Sequence, residues 1–398
     1  MPDEAKAGIS TSEYIHLGNT TSNWDAKDTE GWKREGATSF YDWMTDCRRL
    51  LLTRDELTWL EKNTVPDRQV DVFINMSCGT QLIPHVTLDI VGVFRALGVN
   101  FVAGTGPQFC CGKPFRTHDQ EKAGARVTQA SLSRFIGWGA TTAVHACQSC
   151  QIIYDNFTAE REPAARGLTN QHLTWFLENR LRELGNRAPW KRKLNARALV
   201  ATCHAVSPVH RAGQASVARL LPTIPGVEVV GTIDTTSRGA PCTTLYPGGP
   251  SILAELSEEE HTEVVGNLEE VACDRYGADM IVMCAHWCQR EWQKFSSSRL
   301  SVKHFMSVAA EALGCPNPDR YAQYWALHDP DRVVELARPC WTSWGIDEAA
   351  ARRIAYKHFD PHYSGYVNAQ CACGGDPAKC TTGKFTLAGG KDELAPPV

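Results

Sequence analysis

The 398-residue chain carries 22% charged and 43% apolar side chains and a net charge of −4, the balance of a soluble globular protein long enough for two domains. That charge argues against nucleic acid as the main partner; no apolar run approaches the roughly 18 residues of a membrane span, and Met1–Thr20 lacks the apolar segment of a secretory signal. With no such signal, 16 cysteines favour metal or redox use over a secreted disulfide scaffold, and the expected location is the reducing cytoplasm.

Residues 1–68 read as an N-terminal extension that wraps the first domain or meets a partner. Residues 9–36 are polar and turn-rich, Thr53 and Glu56 form a capping-box pattern, and Cys47 reads as a bystander thiol. From Val70 the pattern becomes β-α-β. A strand over Val70–Met76 leads into Cys78. Pro84 then opens a helix in which Val86, Ile90, Val93, Phe94 and Leu97 repeat at helical spacing up to Gly98. A strand over Val99–Ala103 precedes the pair Cys110–Cys111. The segment His118–Ile136 predicts a helix with Ala125, Thr128, Leu132 and Phe135 on one face. Thr141–His145 is a buried strand, and Ile152–Phe157 begins a helix after Cys147-Gln-Ser-Cys150. His172–Leu184 is amphipathic and ends at Gly185, and the basic run Arg187–Arg197 is a solvated connector.

A second copy starts at Ala198–Thr202, a strand running into Cys203, 125 residues after Cys78. Pro208–Leu221 predicts a helix and Val227–Gly231 a strand, followed by a Gly- and Pro-bearing loop with Cys242. Ser257–Tyr276 has a capping Ser and an acidic first turn, and Asp279–Met283 is a strand entering Cys284. Ser301–Leu313 is the last helix. The expected fold is α/β, with two duplicated parallel-sheet halves facing each other across a cleft. The expected divisions are an N-terminal extension over 1–68, a first half over 69–190, a second, modified half over 196–314, and a cysteine-containing C-terminal extension over 315–398 with a loose tail from Leu387.

The chemistry lies in the cysteine spacing. Cys78 is followed after 31 residues by Cys110-Cys111-Gly112, and then by Cys147-Gln-Ser-Cys150. Parallel α/β sheets gather their strand carboxyl ends along one edge, so cysteines just past three strands can converge. Adjacent cysteines do not easily bond each other, but a polynuclear cluster can use both. Soft thiolates in this number point to iron–sulfur before zinc, with a zinc site or buried thiols as the plainer alternative. In the second half Cys203, Cys242, Cys284 and Cys288 repeat the arrangement with changes: Pro241 precedes Cys242, and the last pair is one residue wider. His204 and His286 read as neighbours of that second site before ligands of it, and His145, Gln148 and Ser149 either as hydrogen-bonding neighbours of the first or as polar loop residues facing water. Cys340, Cys371, Cys373 and Cys380 suggest a small iron–sulfur or zinc site, or an exposed thiol cluster; Cys273 and Cys315 read as ordinary buried residues. No G-x-G-x-x-G fingerprint is present, so electrons must pass to or from partner subunits.

The pattern Cys78, Cys110-Cys111-Gly112, Cys147-x-x-Cys150 resembles the CCG (cysteine-rich) domain found in the B-type subunit of heterodisulfide reductase and its relatives. That resemblance implies a non-cubane [4Fe–4S] cluster on Cys78, Cys110, Cys111, Cys147 and Cys150 as the catalytic centre, making or breaking sulfur–sulfur bonds of a substrate that enters between the halves. The second motif lacks one of the five family ligands. It implies a second iron–sulfur cluster of uncertain type, with a cubane, a trinuclear centre, zinc or an emptied scaffold all open. One intact motif, one modified motif and long extensions look like a B-type subunit of the bacterial sulfur-oxidising heterodisulfide-reductase-like complex. The implied partners are a ferredoxin-like C-type subunit, a flavin-bearing A-type subunit and a lipoate-binding sulfur carrier protein. The alternatives are an electron-transfer CCG subunit of a glycolate, lactate, glycerol-phosphate or quinone-linked dehydrogenase, and a zinc-stabilised scaffold subunit. The 12 tryptophans suit a partner interface or a core equally well.

Overall fold

Short apolar runs followed by amphipathic helices build two parallel sheets of the same design. The computed structural model describes residues 45–61, 69–105, 109–116, 121–161, 167–202, 208–234 and 258–360. In the first half, β1 (Val72–Asn75), β2 (Phe101–Gly104), β3 (Thr142–His145) and β4 (Thr169–His172) pair in the order β2-β1-β3-β4. In the second, β5 (Ala196–Thr202), β6 (Val227–Asp234), β7 (Met280–Met283) and β8 (Ser301–His304) pair as β6-β5-β7-β8. Every pairing is parallel, and the central strands β1 and β7 are buried along their length. The expected duplicated α/β fold is therefore present. In both halves the order reverses beside the first strand, which opens a crevice at the carboxyl ends.

The first half carries α1 (Arg54–Glu61) ahead of its sheet, then α2 (Pro84–Ala96), α3 (Glu121–Gly137), α4 (Gln148–Arg161) and α5 (Leu173–Leu184). The second carries α6 (Pro208–Leu220), α7 (Glu258–Glu269), α8 (His286–Trp292) and α9 (Phe305–Leu313). Four helices follow: α10 (Arg320–Trp325), α11 (Pro330–Leu336), α12 (Arg338–Ser343) and α13 (Glu348–Phe359).

Three expectations change. The fourth strand of each half is polar (TNQH and SVKH), so the sequence pattern places helix at His172 and Ser301 where the chain is still extended. Pairing with β3 and β7 supplies the order that local propensity lacks. His172 and His304 each end an edge strand and cap the next helix, their Nδ1 atoms accepting the amides of Thr174 and Met306 at 3.3 Å. The helix after Cys147 starts at Gln148, which puts Cys150 in its first turn. Finally, α7 stops at Glu269 and continues as a π-helical segment, Glu270–Arg275.

The halves meet along two matching seams, α2 on α9 and α5 on α6. A carboxylate ties each seam. Asp89 of α2 accepts Ser307 Oγ at 2.6 Å and both the amide and Nδ2 of Asn317 at 2.9 Å. Glu178 of α5 accepts Ser216 Oγ at 2.7 Å and Arg219 Nε at 2.8 Å. The segments before the first sheet and after the second also meet. Arg320 Nη1 donates to Leu51 O at 2.7 Å and to Glu56 at 3.0 Å, and Trp344 Nε1 donates to Leu52 O at 2.7 Å. Glu56 returns to the Thr53 amide at 2.7 Å, the capping box expected from sequence. Among the described residues no helix is long and apolar enough to cross a membrane.

Under α10 lie the buried charges of α8 and the turn that follows it: Arg290 pairs with Glu291, and Lys294 Nζ reaches Glu291 at 2.9 Å and lies 4.0 Å from the centre of the Trp325 ring. Burial pulls Lys294 down from 10.5 to about 7, against the opposing pull of Glu291. Between those two values the unfolded chain holds a proton that the folded chain has released, so this group makes stability rise with pH from about 7 to 10.5. Lys294→Met is expected to flatten that rise, read by chemical denaturation of wild type and variant at about pH 7 and about pH 10.

Candidate metal centre

At the carboxyl edge of the first sheet, a tight turn presents the first thiol. Ser77 takes a left-handed backbone (φ 62°) directly after β1, an uncommon state for a residue with a side chain. It is held there by Asn75 Oδ1, which accepts the Ser77 amide at 3.0 Å, and by Thr105 Oγ1, which donates to the Ser77 carbonyl at 3.2 Å. Cys78 follows, half-buried, and opens the 3-10 turn Gly79–Leu82.

The adjacent pair sits beyond β2 and is gripped from α3. Ser131 Oγ donates to the Cys110 carbonyl at 2.9 Å and Thr128 Oγ1 to the Cys111 carbonyl at 2.8 Å. Phe109 packs flat on Gly104, where any side chain would strike its ring, and its carbonyl accepts Tyr154 OH from α4 at 3.0 Å. Gly112 explains the third residue of the motif. Its backbone is left-handed (φ 79°), which glycine adopts without penalty, and its amide points back to Cys110 Sγ at 3.2 Å.

Cys147 precedes α4 and Cys150 lies in its first turn, where the Cys150 amide faces the Cys147 sulfur. The thiols form a row of hydrogen bonds, Cys111 with Cys110, and Cys150 with both Cys111 and Cys147. The thiol of Cys150, donating to Cys147, is the main cause that lowers Cys147 to about 5, and the field of His286 adds to it. Cys111 is pushed up to about 12, chiefly by its bond to Cys110, and Cys150 is also raised, by Cys111 first and then Cys147. Cys78 is placed by the end of β1. All five thiols are free of disulfides.

The second half repeats the frame and changes the chemistry. His145 ends β3 opposite His172, and Met283 ends β7 opposite His304, while α4 and α8 each begin three residues later. Cys288 therefore matches Cys150, Ala285 matches Cys147, and Cys284 matches Ala146. The wider pair is a cysteine moved one residue back onto the strand end, not a longer loop. Cys284 is buried and raised to about 12 by that burial, and it accepts Gln148 Nε2 from the first half at 3.1 Å. Cys203 and Cys242, like Cys371, Cys373 and Cys380, lie outside the described residues. Cys340 is buried on α12, raised to about 11 by burial, with Arg320 nearby. Cys273 and Cys315 are half-exposed rather than buried.

Three neighbours fall elsewhere than sequence suggests. The ring of His145 stacks on Tyr154 and its Nε2 meets Asn170 Oδ1 at 3.0 Å, which engages it away from the cysteine row. Gln148 crosses to the other half instead of turning to its own thiols. His286 likewise leaves the second half and lies on Gly79, beside Cys78. Spacing carries no signal for such crossings.

Among the described residues no three His, Cys, Asp or Glu side chains meet as a single ion requires. A row of four soft donors that includes an adjacent pair suits a group of several metal atoms better than one tetrahedral ion. Soft donors in this number at the strand ends of a parallel α/β unit suit an iron–sulfur centre. Residues 72–153, which contain every cysteine from Cys78 to Cys150, match the family model of the cysteine-rich domain, CCG. No curated protein matches the chain significantly.

In metal-free, reduced protein at about pH 6.5, iodoacetamide is expected to label Cys147 about tenfold faster or more than Cys111, Cys150 or Cys284, because only Cys147 is largely thiolate there. Timed quenching and peptide mass spectrometry give the order.

Proposed function

We propose that this chain is the iron–sulfur redox subunit of a heterodisulfide-reductase-like complex, in which Cys78, Cys110, Cys111, Cys147 and Cys150 hold a non-cubane [4Fe–4S] cluster. Its task is to make or break sulfur–sulfur bonds of thiol, disulfide or persulfide substrates in cytoplasmic sulfur oxidation. The observation that carries this reading is the buried row of four thiols, with its adjacent pair closed by the Gly112 turn. When bound, the cluster supplies single electrons and an iron to which a substrate sulfur attaches.

The chain's own residues prepare the place. Ser131 and Thr128 hold the pair by its carbonyls, so both sulfurs keep one orientation. The Gly112 amide donates to Cys110 Sγ and fixes the turn beside it. Cys147 is deprotonated at neutral pH and is ready to ligate. His286 and Trp287 cover the Cys78 turn from the other half, and Gln148 meets Cys284, so both halves exclude water where they touch. Cys284 and Cys288, with Cys203 and Cys242, hold a second centre that relays electrons. Ferredoxin-like and flavin-bearing subunits exchange them, and a lipoate-type carrier delivers the sulfur.

A second reading is an electron-transfer subunit with no sulfur substrate. The deep burial of Cys110, Cys111 and Cys150, at 4%, 3% and 4% exposed, favours it, because outer-sphere transfer needs no open approach. The two readings separate on one measurement. Anaerobic wild type is expected to contain iron and acid-labile sulfide, and Cys111→Ser to lose the portion belonging to one paramagnetic signal. Adding a thiol or disulfide substrate to the assembled complex should change that same signal. A signal that partners reduce but substrates leave unchanged supports electron transfer instead, and a colourless zinc protein rejects both.

A further inference from the structure

The second half's motif contributes a residue to the first half's centre. His286, the first residue of α8, is buried, and neither ring nitrogen makes a well-formed hydrogen bond among the described residues. A methyl group on Gly79 would lie 2.3 Å from His286 Nε2 and 2.7 Å from Trp287 Cε2, so the imidazole rests on the backbone next to Cys78. Burial favours its neutral form, opposed by the field of Cys147 and by the Ala146 carbonyl nearby. The ring thus stands between the ends of β1 and β3, the crevice where the strand order reverses. A buried imidazole that is not fully paired is unfavourable, and in either protonation state it has an N–H to donate. Beside the Ala146 carbonyl, cluster sulfide or a ligating thiolate is the acceptor that this place offers.

The opposite half supplies an independent reason. Gln148 occupies the position in α4 that His286 occupies in α8, and it donates across the seam to Cys284. The first helical residue of each half lies against the strand-end segment of the other, Gln148 on Cys284 and His286 on Gly79.

We propose that His286 donates a hydrogen bond to a sulfur of the centre held by Cys78, Cys110, Cys111, Cys147 and Cys150, and so raises its reduction potential. This rests on the iron–sulfur reading of that site. Reduction adds negative charge to the sulfurs, and a donor aimed at them favours the reduced state. His286 is a positioning and tuning residue; the five cysteines ligate.

The test uses full-length protein purified anaerobically: wild type, His286→Ala, His286→Gln and Gly79→Ala, with Cys111→Ser to assign the signal. Iron and acid-labile sulfide are counted first. An iron-free wild type overturns the site reading itself. With iron present, His286→Ala is expected to lower the midpoint of the Cys111-dependent signal by about 59 mV, a tenfold change in a one-electron equilibrium. Gly79→Ala should shift it in the same direction by displacing the ring, and His286→Gln, which keeps an N–H, should recover part of the loss. Protein labelled with ¹⁵N-histidine should show a nitrogen coupling in that signal, absent in His286→Gln. An unchanged midpoint in iron-loaded His286→Ala overturns the role of His286 while leaving the site reading intact. So does a labelled wild type without coupling, which decides the matter even if His286→Ala fails to fold.

Discussion

Parallel pairing of β1 with both β2 and β3 is the constraint on which the rest depends. It aligns the carboxyl ends of Asn75, Gly104 and His145 in one register, so the chain must turn at the same edge three times. Each turn then carries a cysteine. The strain of turning sharply falls on Ser77, held left-handed by Asn75 and Thr105, while Gly112 takes the same region freely and its amide meets Cys110 Sγ. Helix α3 adds no thiol, yet its Ser131 and Thr128 decide where the cysteine pair lies. A change in this helix would therefore act on the centre through packing.

Duplication explains how two such edges come to face each other. The seams α2–α9 and α5–α6 are equivalents under an approximate two-fold relation, and each carries a serine–carboxylate hydrogen bond, Ser307 to Asp89 on α2 in one and Ser216 to Glu178 on α5 in the other. Each half also sends the first residue of its post-strand helix toward the other. The equivalence also breaks where chemistry sits. Moving the cysteine from the Ala285 position to Cys284 turns a helix-cap thiol into a buried strand-end thiol bonded to Gln148. Moreover, the matching helix start carries histidine in one half and glutamine in the other. An edge with four thiols in a row and an edge with a displaced cysteine are suited to different centres, which is the physical basis for assigning them different tasks.

Much was legible because local chemistry settled it. Pro84 starts α2, Gly98 and Gly185 end their helices with positive φ, and the Thr53–Glu56 capping box forms as its spacing requires. The alternation of apolar runs and amphipathic helices identified a duplicated parallel α/β chain, and the thiol spacing with Gly112 marked cysteines that the structure sets in one row. These features depend on residues close in sequence, or on a spacing that one topology alone satisfies.

Tertiary structure decided what no local pattern encodes. The polar strands β4 and β8 exist because β3 and β7 offer them hydrogen bonds, and β propensity in TNQH or SVKH would not order them. The widened cysteine pair reads as an insertion in sequence, and only the strand register shows it to be a one-residue displacement. His286 and Gln148 lie next to cysteines of their own half in the sequence, yet the packing of two sheets face to face gives each to the opposite half. Spacing along the chain determines which residues share an edge. Which edge a side chain reaches across to is set by the distance between packed elements, and that distance exists only once both halves have folded together.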